Sequence, residues 1–398
     1  MRDEAPVVYS AAERLRRGTR DDVREALLDI RTRTLAVADT YVEALGPQLA
    51  IPHDPGLNPP RWELGHVAWF QEWWIARNRK RGLGHRADPD HERPPATLAA
   101  ADAMFDSSRV AHATRWALPL PPIGEVRRWL ASTLEATLSH LDALPPNATH
   151  DDLYFFRLVA LHEAMHAEAA CYMARTLGFG VPGLKAAPVV EGEMDVPAQS
   201  FRLGGAGDGF CFDNELAAHE VAFSPFRIDA APVSWDRFGA FVDAGGYAEP
   251  RWWTPEGWQW AQQQRGARPA FPRGADAALH LSAHEAQAWC RWAGRRLPTE
   301  AEWECAALTQ PRFQWGHAWE WTASPFEPYP AFEAHPYRDY SQPWFGSRLV
   351  LRGACAATSP WLAHPRYRNF FEPGRTDIFA GFRTCAINPA APARTRAR

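Results

Sequence analysis

The sequence lacks several features that would mark a membrane protein or a nucleic-acid-binding protein. It contains no run of about 18 apolar residues, the length a helix needs to cross a bilayer. Its start, Met1-Arg2-Asp3-Glu4, is charged from the second residue, which argues against a signal peptide. The net charge of −4 leaves no basic surplus for a phosphate backbone. We therefore expect no membrane contact and no nucleic-acid partner.

Cysteine is also scarce, with six residues in 398 and no CxxC spacing or disulfide framework. We expect reduced thiols, in keeping with a cytoplasmic location. Tryptophan, in contrast, is abundant at 19 residues. Core packing accounts for most of them, but aromatic faces also hold quaternary ammonium groups. Composition leaves both uses open.

A chain of 398 residues is too long for one ordinary core and suits two domains. In the first part, apolar residues recur at helical spacing in four long segments. They predict a four-helix bundle over residues 1–190, a fold that can hold a metal at its centre. The predicted helices cover residues 11–45, 61–81, 123–144 and 152–177.

The pattern changes near residue 190. Prolines and glycines in residues 183–199 indicate a junction. Beyond it, short apolar runs alternate with glycines and turn signals, and one clear helix covers residues 282–294. This pattern predicts a mixed α+β domain over residues 191–390. A disordered tail is expected at residues 391–398.

The pentapeptide His162-Glu163-Ala164-Met165-His166 lies within the last predicted helix of the bundle. Its two histidines are four residues apart, so they share one face of the helix and can reach a single ion. One histidine there would more often be an ordinary core residue, whereas the pair favours a metal site. The pattern His-Glu-x-x-His is typical of zinc peptidases, in which Glu163 would act as general base.

A third ligand decides between these chemistries. No histidine follows His166 until His219, but His66 lies upstream at the start of another predicted helix. One histidine from the early helix and two from the later one would form a three-imidazole set inside the bundle. Such a set leaves positions open for water, substrate or dioxygen. The peptidase becomes the second interpretation, and spacing alone leaves iron, manganese and zinc undecided.

The second half carries motifs of a known fold. Its longest motif, AWCRWAGRRLPTEAEWE at residues 288–304, is similar to the signature of formylglycine-generating-enzyme and sulfatase-modifying domains, which have a C-type-lectin-like fold. Further matches lie at residues 209–215, 226–229, 319–322, 351–353 and 381–383. This domain, joined to a DinB-like four-helix bundle with three histidines, makes the chain resemble the ergothioneine sulfoxide synthases, including the selenoneine synthases.

The resemblance implies a mononuclear non-haem iron oxidoreductase. Such enzymes use Fe(II) and O2 to join sulfur or selenium to C2 of the imidazole of hercynine, the trimethylammonium betaine of histidine. His66, His162 and His166 match the iron ligands of this family. Iron suits the chemistry, since redox-inactive zinc cannot activate O2. The betaine would also give the aromatic surplus a use as a cation–π cage.

Several residues depart from the sulfur-using members. Met165 stands where many of them have a glutamine that holds hercynine. After Arg368, Asn369 is retained as a substrate contact, but Phe370-Phe371 follows where some members have an aromatic residue and an acid. The candidate substrate contacts are Met165, Asn369, Phe370 and Phe371, with Arg109 and Arg115 as candidates for the donor.

The donor is the least determined part of this prediction. Arg109 and Arg115 could grip a peptide-like thiol, or could be solvated arginines near a helix end. The departures favour a selenosugar donor, as in selenoneine synthases. The alternative is an ergothioneine sulfoxide synthase that uses cysteine or γ-glutamylcysteine, with Met165 as ordinary variation.

Reduction of O2 requires a proton donor. Tyr329 and Tyr337 lie where the family places a catalytic tyrosine, although either could simply pack a loop against the core. Glu163 points about 100° away from His162 around the helix, so it would orient a ligand or lie exposed rather than bind the metal. Cys355 and Cys385 are interpreted as buried small residues, not as the copper ligands of formylglycine-generating enzymes.

Three functions from different classes therefore remain. The resemblance favours iron- and O2-dependent transfer of selenium or sulfur to hercynine. A zinc hydrolase that uses Glu163 would work without O2 and would lose activity with Glu163→Gln. A non-catalytic binding module would use the histidines structurally and would turn over no donor.

Overall fold

The first half of the chain is helical, as predicted. The structure, a computed structural model, describes residues 10–264 and 271–387, so the tail predicted at residues 391–398 lies outside it. The helices are α1 (Ala11–Arg17), α2 (Arg20–Leu45), α3 (Pro60–Trp74), α4 (Ala101–Phe105), α5 (Ile123–Asp142) and α6 (His150–Thr176). None of the helices in the described ranges is long and apolar enough to cross a membrane.

Local capping signals set the bounds of these helices. Thr149 accepts a hydrogen bond from the backbone of Asp152, whose carboxylate bonds the backbone of Thr149 in return, so α6 begins there. The helix predicted over residues 11–45 is broken at Gly18, because Thr19 forms the same kind of cap for α2. The helix predicted over residues 61–81 ends early, and Asn78 bonds the backbone of Lys80 in a turn that competes with helix.

Four of these helices form the predicted bundle. Helix α2 packs on α5 and α6, and α3 packs on the same two helices from the other side. Leu27 and Ile30 of α2, Phe70 of α3, Leu130 of α5 and Phe155 of α6 are all buried in its core. The bundle thus places the inner faces of α3 and α6 against each other.

The second half folds into small sheets with short helices around them. The strands are β1 (Glu193–Val196), β2 (Gln199–Leu203), β3 (His219–Phe223), β4 (Phe226–Asp229), β5 (Arg295–Arg296), β6 (Ala318–Pro325), β7 (Leu349–Ala354), β8 (Asn369–Phe371), β9 (Ala380–Gly381) and β10 (Cys385–Ala386). They form sheets of order β1-β4-β10-β5, β2-β3 and β8-β7-β6-β9. In the last sheet β6 and β7 are antiparallel, with Glu320 opposite Arg352.

The helix predicted over residues 282–294 is confirmed as α9 (Ala283–Trp292). In the described part of this half, three further helices were not predicted: α7 (Trp235–Asp243), α8 (Pro255–Gln263) and α10 (Glu300–Thr309). Each of these four helices starts after a serine or threonine whose hydroxyl accepts a backbone hydrogen bond, and these caps are Ser234, Thr254, Ser282 and Thr299. The predicted junction at residues 183–199 also contains β1 and the start of β2, so the exact domain boundary at residue 190 stays a prediction.

Buried polar contacts join the two halves. The guanidinium of Arg16 donates two hydrogen bonds of 2.8 Å to the carboxylate of Glu215, and both side chains are almost fully buried. Trp361 donates to Asp29 of α2 at 2.9 Å. Because buried charges are tolerated only when paired, the Arg16–Glu215 pair fixes how the bundle sits on the second half.

We predict that Glu215→Gln lowers the free energy of unfolding by about 3–5 kcal/mol, because the substitution leaves the buried guanidinium of Arg16 without its counter-charge. Urea denaturation followed by tryptophan fluorescence measures the loss. Asp142→Asn is the control, since Asp142 pairs with Arg24 on the surface and its removal should change stability little. Equal losses in both variants would contradict the prediction.

Candidate metal centre

Three imidazoles converge between α3 and α6. His66 comes from α3, and His162 and His166 from successive turns of α6, with ligand nitrogens that all lie within 4.8 Å of one another. The Nε2 atoms of His162 and His166 are 3.1 Å apart. Two nitrogens at this separation can both bind one ion at about 2.1 Å. The predicted histidines therefore do lie together, and their role as metal ligands stays a prediction.

The backbone around Phe105 holds the ring of His66. Nδ1 of His66 donates to the carbonyl oxygen of Phe105 at 2.8 Å, which leaves Nε2 with a free lone pair. Gly65 makes this approach possible. A Cβ atom at Gly65 would lie 2.2 Å from the ring of Phe105, so a larger residue would push the carbonyl away.

The two histidines of α6 are held differently. Nδ1 of His166 donates to Oε2 of Glu63 at 2.6 Å, so its Nε2 is also free to bind a metal. The ring of His162 stacks on Phe70, with centroids 3.5 Å apart and planes 4° from parallel. Glu63 lies three residues before His66 on α3. Its contact with His166 was not predicted, although a carboxylate on the same helix face as a candidate ligand was a usable signal.

The electrostatics of the centre suit a divalent cation. Burial lowers the pKa of His66 to about 3, with His166 contributing, and lowers the pKa of His162 well below its usual value. Burial alone would raise the pKa of Glu63, but His166 and His66 outweigh it and bring that pKa to about 2. Imidazole nitrogens beside an ionised carboxylate form a donor set that fits Fe(II), Mn(II) or Zn(II).

Both interpretations of Glu163 are wrong. Its carboxylate accepts hydrogen bonds of 2.7 and 2.9 Å from the guanidinium of Arg31, and the residue is buried. Arg31 also donates to Gln71 of α3 at 2.7 Å. Glu163 therefore neither orients a ligand histidine nor lies exposed on the helix. A carboxylate committed to a buried arginine in this way is not available as the general base of a peptidase.

A cavity of about 240 Å³ opens beside His162 and His166. One wall is α6, and the other consists of β6, β8 and loops of the second half. Besides these two histidines, five predicted site residues line it: Met165, Tyr337, Asn369, Phe370 and Phe371. The other aromatic residues of the lining are Tyr172, Trp319, Tyr340 and Tyr367. We call this space the aromatic cavity.

Tyr337 and Tyr329, the two predicted proton donors, have different surroundings. The ring of Tyr337 lies 5.9 Å from that of His162, and its hydroxyl makes no hydrogen bond within residues 10–264 and 271–387. Tyr329 does not line the aromatic cavity. Its hydroxyl donates to Glu300 at 3.0 Å and accepts from Arg352 at 2.9 Å, so its proton is engaged in a buried ion cluster. Burial raises the pKa of both phenols.

The predicted donor arginines lie away from the aromatic cavity. Arg115 is buried rather than solvated, stacks 3.7 Å over the ring of Trp62 and donates to Asn58. Arg109 is exposed and pairs with Asp106 at 3.2 Å. It lines a different cavity, of about 270 Å³, which shares Tyr337 with the aromatic cavity and which we call the tryptophan cavity. Cys355 and Cys385 are buried and free, as predicted.

Two further features of the aromatic cavity were not predicted. Oε1 of Glu168 accepts a hydrogen bond from the indole of Trp319, whereas its buried Oε2 has no hydrogen-bond partner among the described residues. Burial raises the pKa of this carboxyl. Tyr367 donates to the sulfur of Met165 at 3.1 Å and accepts from Tyr340 at 2.9 Å. These contacts cross from α6 to the second half, and no local sequence pattern reports such a contact.

We predict that Glu63→Gln lowers the affinity for Fe(II) by about 10- to 100-fold, because it removes the carboxylate that orients His166. Anaerobic titration with Fe(II) measures the change. Glu304→Gln is the matched control: the same substitution on a buried carboxylate of the second half, paired with Arg352 at 3.0 Å, should reduce stability while leaving metal affinity largely intact. Equal loss of affinity in both variants would refute the role of Glu63.

The two halves match known families separately. The profile of the DinB superfamily matches residues 26–170, and that of the sulfatase-modifying factor enzyme 1-like domain matches residues 181–318. The formylglycine-generating enzyme of Thermomonospora curvata is 33% identical over 35% of this chain and 57% of its own length. These matches confirm the predicted fold class, an N-terminal DinB-like bundle followed by a formylglycine-generating-enzyme-like domain of the C-type-lectin type.

Other relatives match across both halves. The hercynine oxygenase of Mycolicibacterium smegmatis is 31% identical over 92% of this chain and 98% of its own length. That of Mycobacterium tuberculosis is 31% identical over 89% of this chain and 96% of its own. Identity at this level over nearly the full length of both proteins establishes homology. The chain belongs to the hercynine oxygenase family.

Proposed function

We propose that the protein is an Fe(II)- and O2-dependent oxidoreductase that forms a carbon–chalcogen bond at C2 of the hercynine imidazole, with a selenosugar as its donor. The aromatic cavity carries this proposal, because it combines two of the three imidazoles, His162 and His166, with aromatic side chains and a buried carboxylate. Its relatives are named for oxygenation of hercynine, a small molecule with an imidazole at one end and a cation at the other.

The aromatic cavity suits such a betaine. A trimethylammonium group donates no ordinary hydrogen bonds and is held by aromatic faces and a nearby negative charge. Trp319, Tyr340 and Tyr367 supply aromatic rings, since the guanidinium of Arg375 already lies over Tyr172 and Phe371. The carboxylate of Glu168 supplies the charge. A bound cation would favour the ionised form of this carboxyl. A volume of about 240 Å³ accommodates a small molecule rather than a peptide chain.

The residues at and around His66, His162 and His166 have distinct roles in this proposal. Fe(II) held by His66, His162 and His166 would supply O2 activation at its open positions. The Tyr337 hydroxyl, which no neighbour holds, can keep a proton beside the trio and deliver it when the substrate requires one. Phe70 stacks on His162 and packs edge-on against Tyr337 at 4.9 Å, so it excludes water from that side.

The tryptophan cavity favours an uncharged, hydroxyl-rich donor. Its lining combines tryptophan rings with acidic and hydroxyl side chains: Trp69, Trp73, Trp74, Asp90, Asp106, Asp339, Ser107 and Ser108. Both arginines in the lining are already paired, Arg109 with Asp106 and Arg338 with Asp90. γ-Glutamylcysteine carries two carboxylates that would need free cations. A sugar instead stacks on indole and donates its hydroxyl protons to carboxylates.

We predict product formation only with Fe(II) and O2. The protein is loaded anaerobically with Fe(II), then exposed to O2 with hercynine and either a selenosugar, cysteine or γ-glutamylcysteine, and products are identified by mass. The selenosugar should give the selenium adduct, and His66→Ala should abolish iron binding and product together. Reaction with a thiol alone would refute the selenium donor. Unmodified hercynine with all three donors would refute the proposed reaction.

We predict that Tyr337→Phe lowers kcat by about 10²-fold or more, because it removes a positioned proton donor. The KM for hercynine should change little. Steady-state rates at saturating O2 separate the two constants. Tyr329→Phe is the matched control, since it deletes the same hydroxyl from the buried ion cluster and should affect stability more than kcat. A fall in kcat with Tyr329→Phe alone would reverse the assignment.

A further inference from the structure

A small cavity lies between α2, α3 and α6 and is separate from both cavities described above. Its volume is about 30 Å³. Small and apolar side chains account for most of its wall, among them Val37, Ala38, Val67, Ala170 and Met173. We call it the apolar cavity. It exists because alanines occupy positions on α2 and α6 where larger residues would close the gap.

The polar groups in its wall are already satisfied. The hydroxyl of Thr34 donates to the carbonyl of Ile30 at 3.1 Å, and that of Tyr41 donates to the carbonyl of Ala170 at 2.7 Å. The carboxylate oxygens of Glu63 accept from Asn58 and His166. A buried water needs two to four polar partners, and apolar cavities without them stay dry and bind apolar guests. The space admits a guest of one or two heavy atoms and is far too small for hercynine.

His166 connects this cavity to the metal centre. Its imidazole lines the apolar cavity with Glu63, and it also lines the aromatic cavity. No other described residue lines both spaces. A guest in the apolar cavity is therefore one imidazole ring away from the candidate metal site, on a face that a betaine in the aromatic cavity does not fill.

We propose that the apolar cavity binds O2 and supplies it to the metal centre from within the bundle. This inference rests on the proposed function, which requires O2. Dioxygen is small and apolar, so it partitions from water into a dry apolar space, whereas water and the charged betaine do not. Hercynine and the donor fill the two larger cavities, and a separate store lets O2 reach the site after both have bound.

Xenon binding tests the cavity without any reaction. Crystals of the iron-free protein under xenon pressure should show one xenon atom between Ala38 and Ala170. Ala38→Leu and Ala170→Leu fill the cavity from opposite walls, and either should abolish that site. Ala36→Leu is the matched control, because Ala36 is exposed on the same helix and its variant should keep the xenon. Absence of xenon in the wild-type protein would overturn the proposal.

The association rate of nitric oxide with the Fe(II)-loaded protein tests delivery of a diatomic gas. Stopped-flow mixing should show a several-fold slower rate in the two filled variants and no change in Ala36→Leu. The KM for O2 should rise several-fold in parallel, while the KM for hercynine stays constant. An unchanged nitric oxide rate in a variant that has lost xenon would overturn the proposal. Neither xenon nor nitric oxide requires turnover, so these results remain decisive if hercynine proves not to be the substrate.

Discussion

The ion pair between Arg31 and Glu163 fixes the rotation of α6 about its own axis, and the geometry of the site depends on that rotation. Successive residues of a helix point about 100° apart. Both oxygens of Glu163 bond Arg31 of α2. His162 and His166 therefore face α3, where His66 and Glu63 lie. Glu168, about 140° around from Glu163, must face the second half, where Trp319 bonds it. The glutamate of His-Glu-x-x-His thus orients the helix and does not act as a general base.

Neither half of the protein contains a complete site. The bundle supplies the imidazoles, Glu63 and Glu168, and the second half supplies the aromatic rings that close the cavity over them. Strand β8, which carries Asn369 and Phe370, is anchored by its neighbour Arg368, whose guanidinium bonds both oxygens of buried Glu300. The hydroxyl of Tyr329 bonds the same carboxylate. The ion cluster of the second half therefore supports the cavity wall from behind, as expected of a ligand site at a domain interface.

Periodicity and motif spacing in the sequence predicted the helices of the bundle. The hydrogen-bond partners of the site residues depend on tertiary contacts, which such patterns do not show. The i, i+4 spacing of His162 and His166 defines a shared face, so their proximity was predictable. His66 could be added because it begins a second apolar helix. The bond from His166 to Glu63 joins residues 103 positions apart, and no local pattern reports it. Tyr329 and Tyr337 could not be separated for the same reason: eight residues apart, they differ only in what distant segments place around them. Of the short helices of the second half, α9 was predicted, whereas α7, α8 and α10 were missed because their apolar faces are brief, although their serine and threonine caps are visible.

Charge balance explains why two buried glutamates accompany a ligand set that has no carboxylate of its own. Three neutral imidazoles leave the full charge of a divalent ion uncompensated, and a bound trimethylammonium group would add another positive charge at the same buried interface. Buried charge is tolerated only when it is paired. Glu63, whose pKa is lowered to about 2, lies against the three histidines through His166. Glu168 faces the aromatic cavity, where burial raises its pKa and a bound cation would favour its ionised form. In the proposed function, a cationic substrate would pair the oxygen of Glu168 that has no hydrogen-bond partner among the described residues.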